Sequence, residues 1–289
     1  MSKIKLAGIV TLYNPTDQDI KNIDTYLDDI DKLYIIDNTE GKDNKDRIPK
    51  SKKIDYKFKN ENVGVATALN MGAKLAMKDG FDYLLTMDQD TVFKKGDIDA
   101  LKKDIQTVDM TKIAIVTPWH KTKANSPKPM TKFDLPCEVM TSANILNLRI
   151  WKKLGGFKDW MFIDGIDIEF GLNAVSHGYY ILRDNSIEVE HNLGNIFFRK
   201  LGRRNVLCTN HAAIRRYYIM RNNHYIYDMY FDKYPAYCQM LISQRHNILA
   251  VILFEKDKLK KLKMYRKGLK DYKEGIKGKY QSSWYLSTI

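Results

Sequence analysis

Apolar runs rich in β-branched residues recur through the first 120 residues, at Leu6 to Leu12, Lys32 to Asp37, Ile54 to Phe58, Tyr83 to Met87 and Ile113 to Thr117. Their length and composition predict strands. Between them, Asp17 to Asp29 and Val65 to Lys78 place apolar residues at helical spacing, as with Ala68, Met71, Leu75 and Ala76. Strand and helix in alternation is the mark of βαβ units, so the expected fold class is α/β: a Rossmann-like, mostly parallel central sheet flanked by helices.

The pattern changes twice. From Lys121 to Pro136 the chain turns to Lys, Pro, Ser and Asn, with Pro127 and Pro129 two apart, which predicts an exposed loop. A returning strand over Glu138 to Leu148, a helix over Leu172 to His177 and a strand over Tyr179 to Val189 follow. Beyond His191 basic and aromatic residues dominate, through Arg199, Lys200, Arg203 and Arg204 and then Tyr217, Tyr218, Arg221, Tyr225 and Tyr227. The expected organisation is one α/β domain over 1–200, in two halves (1–120 and 121–200), and a helical basic C-terminal segment over 201–289.

Composition narrows the class. The chain has 289 residues, of which 44% are hydrophobic, enough to bury a sizeable core. A formal charge of +13 predicts attraction to an anionic partner: nucleic acid, a membrane surface or a phosphorylated substrate. Cys137, Cys208 and Cys238 stand alone, which suggests neither a disulfide framework nor a zinc site and fits a reducing cytoplasm. The apolar run at the N-terminus is too short for a signal peptide, and Ile248 to Phe254 is too short to span a bilayer, so a soluble or peripheral protein is expected.

Three clusters carry candidate chemistry. The run Tyr83 to Met87 ends in Asp88-Gln89-Asp90, so two carboxylates leave a buried strand on the same side, where hard oxygen ligands suit magnesium or manganese bridging phosphates. Taken alone, the same residues also describe an ordinary acidic turn. A second group, Asp164, Asp167 and Glu169, lies among large apolar side chains that would raise a carboxylate towards the range of a general base; a helix start capped by Asp164 is the alternative. Third, Asn60 to Ala73 combines an Asn/Gly turn with small residues along a helix, but lacks both the Walker Lys-Ser/Thr pair and the three-glycine dinucleotide fingerprint.

In this order the motifs resemble the GT-A glycosyltransferases of family 2, and in particular their bacterial rhamnosyltransferase branch, over roughly Ile4 to Tyr227. Val10-Thr11-Leu12-Tyr13-Asn14-Pro15 is similar to the family's opening strand, and Asp37-Asn38 to the pair at the end of its second strand. Asn62, Gly64, Ala66, Ala68, Asn70 and Gly72 match its Asn-x-Gly-x-Ala-x-Ala-x-Asn-x-Gly, and Asp88 and Asp90 its Asp-x-Asp. Ile166-Asp167-Ile168-Glu169-Phe170-Gly171-Leu172 is similar to the run that holds its base, with Ile166 in place of the first acid. The resemblance implies nucleotide-sugar contacts from Tyr13, Asn14, Asp37, Asn38, Asn62, Gly64, Asn70, Asp88 and Gln89. It also implies a Mn2+ or Mg2+ site at Asp88, Asp90 and His191, and Asp167 as the catalytic base with Asp164 as its nearest substitute. Arg199 and Arg203 could close over the diphosphate.

The activity implied is inverting transfer of a sugar, L-rhamnose from dTDP-rhamnose or another residue from a UDP-sugar, to a glycan or lipid-linked acceptor in bacterial surface polysaccharide synthesis. No nucleic-acid partner is expected, although the interleaved Tyr, Arg and Lys around Arg215 to Tyr230 resemble a nucleic-acid surface. A nucleotidyltransferase on the same fold would need a Gly-rich, Lys-containing N-terminal loop that is missing. From Glu255 to Lys279, lysines alternate with Leu259, Leu262, Leu269, Tyr272 and Ile276, so residues 255–280 could lie on an anionic membrane at the inner face of the cell membrane or pack on the core. Self-association is compatible with the sequence and not specified by it.

Overall fold

The protein was analysed as a computed structural model that describes residues 4–122, 128–190, 196–202, 204–243 and 245–281. The first apolar runs form β1 (Leu6–Leu12), β2 (Lys32–Asp37), β3 (Ile54–Phe58), β4 (Tyr83–Asp88) and β5 (Ile113–Lys121). Three helices connect them: α1 (Asp17–Asn22), α2 (Val65–Lys78) and α3 (Asp97–Thr107). The remainder of the domain is β6 (Phe133–Asp134), β7 (Asn144–Asn147), α4 (Leu148–Lys153), α5 (Ile166–Ser176) and β8 (Tyr180–Glu190). A hairpin of β9 (Phe197–Leu201) and β10 (Arg204–Cys208) leads to α6 (Ala213–Tyr230), α7 (Pro235–Ile242), α8 (Arg245–Phe254) and α9 (Lys258–Lys273).

The main sheet has eight strands in the order β3-β2-β1-β4-β7-β5-β8-β6. β1 to β4 are mutually parallel, and β5 is parallel to β8. β7 runs against both β4 and β5, and β6 against β8. Both faces are covered, so alternate residues of one strand enter different cores. Ile9 and Leu84 pack under α2 and α5 with Phe170, whereas Val10 and Leu85 pack on the far side with Ile98 and Leu101.

Several expected boundaries move. The helix expected over Asp17 to Asp29 is α1 and a single 3-10 turn, Ile23–Thr25; it starts in a capping box between Thr16 and Asp19. The strand expected over Glu138 to Leu148 shrinks to β7, because the preceding residues form the wall of a cleft. The helix expected at Leu172 starts at Ile166, after Gly165 turns the chain with φ of +80°. The boundary drawn at 200/201 falls between the last two residues of β9, and the first turn of α6 lines the same cleft as β1 and β4.

α9 lies along α6. Its Lys261, Tyr265, Gly268 and Asp271 are buried, and a Cβ on Gly268 would stand 2.5 Å from the Tyr217 carbonyl oxygen, so the two backbones meet there. Leu262 and Leu269 join Met220, Val251 and Tyr265 in a small core. Most of the apolar stripe of the tail therefore packs on the protein. Among the described residues no helix is long and apolar enough to cross a membrane.

Candidate active site

Parallel strands present their carboxyl ends at one edge of the sheet, and the adjacent ends of β1 and β4 are in register, with Thr11 opposite Asp88. A cleft of about 740 Å³ opens there. Asp88, Gln89 and Asp90 line it from β4, Thr11 and Tyr13 from β1, and Asn38 from the end of β2. The Asp88 backbone N–H donates to Thr91 Oγ1 at 3.1 Å, which fixes the turn after the strand. The Gln89 side chain is scaffolding: Oε1 accepts the Tyr13 N–H at 2.8 Å and Nε2 donates to Asp19 at 3.1 Å. Thr11 and Asn38 line the cleft, and their buried side-chain oxygens, Oγ1 and Oδ1, have no partner among the described residues.

Asn62 and Gly64 line the cleft for conformational reasons. The Gly64 N–H donates to Asn62 Oδ1 at 3.0 Å, and Gly64 adopts φ of +86° where a Cβ would stand 2.6 Å from Phe162. Val65, the first residue of α2, then donates its N–H to the Phe162 carbonyl at 2.8 Å. The small residues that follow let α2 settle on the sheet; a Cβ on Gly72 would run into Ile9.

The opposite wall is a short acidic loop in rare backbone conformations. Phe162 has φ of +69° and ψ of −62°, a positive-φ γ-turn closed by the Ile163 N–H on the Met161 carbonyl at 2.8 Å. Asp164 and Gly165 follow at φ of +64° and +80°. The Arg215 Nε lies 3.1 and 3.2 Å from the two Asp164 oxygens, and a terminal nitrogen of the same guanidinium makes a further bond. Burial works against charge on Arg215, but Asp164, and beyond it Asp88 and Asp167, hold its pKa above the ordinary value.

Asp167 sits one turn further, at the start of α5, and borders both this cleft and a second cavity of about 320 Å³ with His120, Glu138 and Arg183. Its Oδ1 accepts the Ile168 N–H at 2.9 Å. Burial pushes its carboxyl up to about 7, against the help of that N–H, and the nearby Glu138 and Asp164 charges add to the rise. Glu138 is itself raised by burial, although it accepts a bond from the Tyr237 hydroxyl. The three acids grouped in the sequence thus part company. Asp164 is ion-paired, Asp167 faces two cavities, and Glu169 is fully buried and accepts the Tyr230 hydroxyl at 2.7 Å.

The described cleft lining contains Asp19, Asp88, Asp90, Asp164 and Asp167 against one cationic side chain, Arg215. An anionic ligand could not enter such a field without a counter-cation. The net charge of +13 therefore lies elsewhere on the molecule. Asp88 and Asp90 supply oxygen donors of the kind a hard divalent ion takes, completed by ligand oxygens or water. No group of three His, Cys, Asp or Glu side chains converges among the described residues. His191, expected as a third ligand, lies outside the described residues, as does Arg203.

Other expected contacts are placed differently. Asp37 does not line the cleft: it is fully buried, and its oxygens accept the Thr39 N–H at 2.9 Å, the Asn44 side-chain amide at 2.9 Å and the Tyr56 hydroxyl at 2.5 Å. Burial opposes its ionisation, yet these bonds keep its carboxyl below the usual range. Asn14 is exposed and donates its backbone N–H to Thr39 Oγ1 at 3.0 Å. Asn70 is buried and clasps the chain before the acidic loop, donating to the Phe157 carbonyl at 2.8 Å and accepting the Phe157 N–H at 2.9 Å. Arg199 stacks on Phe197, on the opposite side of the hairpin from Ile196 and Leu207, which line the cleft. Strand alternation therefore turns Arg199 away from the site.

The glycosyl transferase family 2 model matches residues 17–162, half of the chain, and ends within the acidic loop. The chain belongs to glycosyltransferase family 2. A relative from Shigella flexneri, dTDP-rhamnosyl transferase RfbF, is 20% identical over 238 residues, covering 74% of this chain and 77% of that protein. The crystal structure of GalNAc-T7 with UDP, GalNAc and Mn2+ superposes with a TM-score of 0.60 at 12% identity, covering 94% of this chain. The chain spans 56% of the length of that structure. The fold is thus GT-A, and this family 2 protein is rhamnosyltransferase-like in sequence.

Beyond the matched segment, α6 and the residues leading into it contribute groups that motif reading missed. His211, just before the helix, and Arg215, in its first turn, line the cleft, and burial, reinforced by Arg215 and Arg216, pushes the His211 imidazole down to about 3. Asn222 Nδ2 donates to the carbonyls of Met161, Ile163 and Asp164 at 3.0, 2.9 and 2.8 Å. Arg221 reaches the Trp160 and Met161 carbonyls, each at 3.2 Å. Arg215 and Asn222 are seven residues apart, two helical turns, and so share a face. That spacing, in a stretch that repeats Arg and Asn (Arg215, Arg216, Arg221, Asn222 and Asn223), was the available signal; that four of these five are buried is seen only in the structure.

Proposed function

We propose that this protein is an inverting, metal-dependent transferase that moves L-rhamnose from dTDP-rhamnose to a hydroxyl of a glycan or lipid-linked acceptor in bacterial surface polysaccharide synthesis. The observation that carries the reading is the placement of Asp167. It stands at the junction of an acidic cleft holding Asp88 and Asp90 and a second cavity, with its carboxyl raised to about 7. A base with a pKa near the working pH is the most effective acceptor of a hydroxyl proton.

Asp88 and Asp90 would hold a divalent cation, which when bound would supply charge neutralisation for the departing nucleoside diphosphate. Manganese or magnesium suits two carboxylates, and the structurally similar GalNAc-T7 was solved with Mn2+ and UDP. The donor occupies the larger cleft, which Thr11 and Asn38 line beside Asp88 and Asp90. The acceptor approaches from the smaller cavity, and Asp167 takes the proton as the acceptor oxygen attacks the anomeric carbon. Asp167 is assigned this role over Asp164, whose oxygens are engaged by Arg215. The rhamnosyl donor is supported by the similarity to the Shigella relative.

A panel of dTDP- and UDP-sugars, with nucleoside diphosphate release read in the presence of Mn2+, Mg2+ or EDTA, tests the reading. Release from dTDP-rhamnose that depends on either metal is expected. Turnover of a UDP-sugar with none of dTDP-rhamnose would replace the donor, and full activity in EDTA would remove the metal.

A further inference from the structure

We propose that the outer face of α8 and the turn into α9 form a docking surface for an anionic lipid bilayer. Leu249, Ile252 and Leu253 follow one another at helical spacing and are 42%, 44% and 42% exposed, while Ala250 and Val251 behind them are buried. Leu259, just beyond the turn, is 85% exposed. Four aliphatic side chains at one corner is an unusual display for a helix end facing only water.

The charges around this row say what it faces. Lys256, Lys258, Lys260 and Lys263 are exposed, and Lys258 Nζ lies 3.4 Å from the Leu253 carbonyl, at the end of the aliphatic row. Of the two acids in this stretch, Asp257 is exposed, but Glu255 is turned inward, 2.9 Å from both Arg216 and Lys261. Aliphatic side chains flanked at one end by lysines match the interface of an anionic bilayer, where the chains enter the acyl boundary and the ammonium groups meet phosphate. A second copy of the same face would bring like charges together. This locates the contact on α8, because most of the stripe of α9 is spent on α6. β10 packs against α8, and its Leu207 lines the donor cleft, so α8 is one element removed from the site.

The test is co-sedimentation of the full chain with vesicles of phosphatidylcholine alone or mixed with phosphatidylglycerol. Binding to the mixed vesicles and none to the neutral ones is expected. Leu249→Ser/Ile252→Ser/Leu253→Ser should weaken partitioning by roughly tenfold, and Lys256→Glu/Lys258→Glu/Lys260→Glu by at least roughly a hundredfold. Both variants should keep the wild-type circular dichroism and donor turnover in solution. No sedimentation of the wild type with anionic vesicles would overturn the proposal, as would undiminished binding by the serine variant. So would a wild-type dimer that the serine variant converts to monomer, since the face would then belong to a second copy.

Discussion

Replacing Asn222 by alanine removes one side-chain amide whose two protons are shared by the carbonyls of Met161, Ile163 and Asp164, at 2.8 to 3.0 Å. A net hydrogen bond contributes about 1 kcal/mol, and a carbonyl left buried without a partner costs about 1 to 3 kcal/mol. Two protons serve three acceptors here, and part of the loop is reachable by water, so about 2 to 4 kcal/mol is expected. For a chain of this size that corresponds to a fall in melting temperature of roughly 4 to 8 °C.

The larger effect should be on turnover. Phe162 and Asp164 adopt positive φ without being glycine, each at a cost of about 1 to 3 kcal/mol, and only the surrounding bonds keep them there. Freed from Asn222, the loop should relax and displace Asp164 and Asp167. A shift near 1 Å in a catalytic group can lower rate by about a hundredfold. The assay is nucleoside diphosphate release at 25 °C, where the variant stays folded, beside a thermal melt. A melting temperature within about 1 °C of wild type and turnover within about twofold would refute the view that α6 holds the acidic loop.

Asp167 must be deprotonated to accept a proton, so kcat/KM should rise with pH and level off above about 7; Asp167→Asn should bind donor and show almost no transfer at any pH. A profile flat from pH 5 to 9 would contradict that role. Asp90→Ala should abolish metal-dependent donor binding in a titration while leaving the melting temperature of the free protein close to wild type, because Asp90 is partly exposed at the cleft. Glu255→Gln should cost about 3 to 5 kcal/mol, since it leaves the buried Arg216 and Lys261 without their shared carboxylate; an unchanged melt would show that water serves them instead.

The sequence by itself determined the first half of the sheet. β1, β2 and β3 have the bounds that the apolar runs predicted, and α2 spans Val65–Lys78 as its spacing required: β1 and β2 are buried on both faces and read as continuous apolar runs, while α2 buries one face and shows a helical period. The Asp88-Gln89-Asp90 turn was legible for the same reason: a buried strand must end where charge begins. Motif spacing could not say what each residue touches. Asn70 and Asp37 lie in matching motifs but spend their polar atoms on the scaffold, and Arg199 is turned away by strand alternation.

Only tertiary structure brought Arg215 onto Asp164 and Asn222 onto the acidic loop, across separations of 51 and about 60 residues. The tail was likewise decided in three dimensions. Its lysines and leucines fit a membrane helix and a packed helix equally well, and α9 lies on α6 because Gly268 lets the backbones touch. Local periodicity records which face of an element avoids water, whereas a binding site depends on which distant polar groups find each other once those faces are buried.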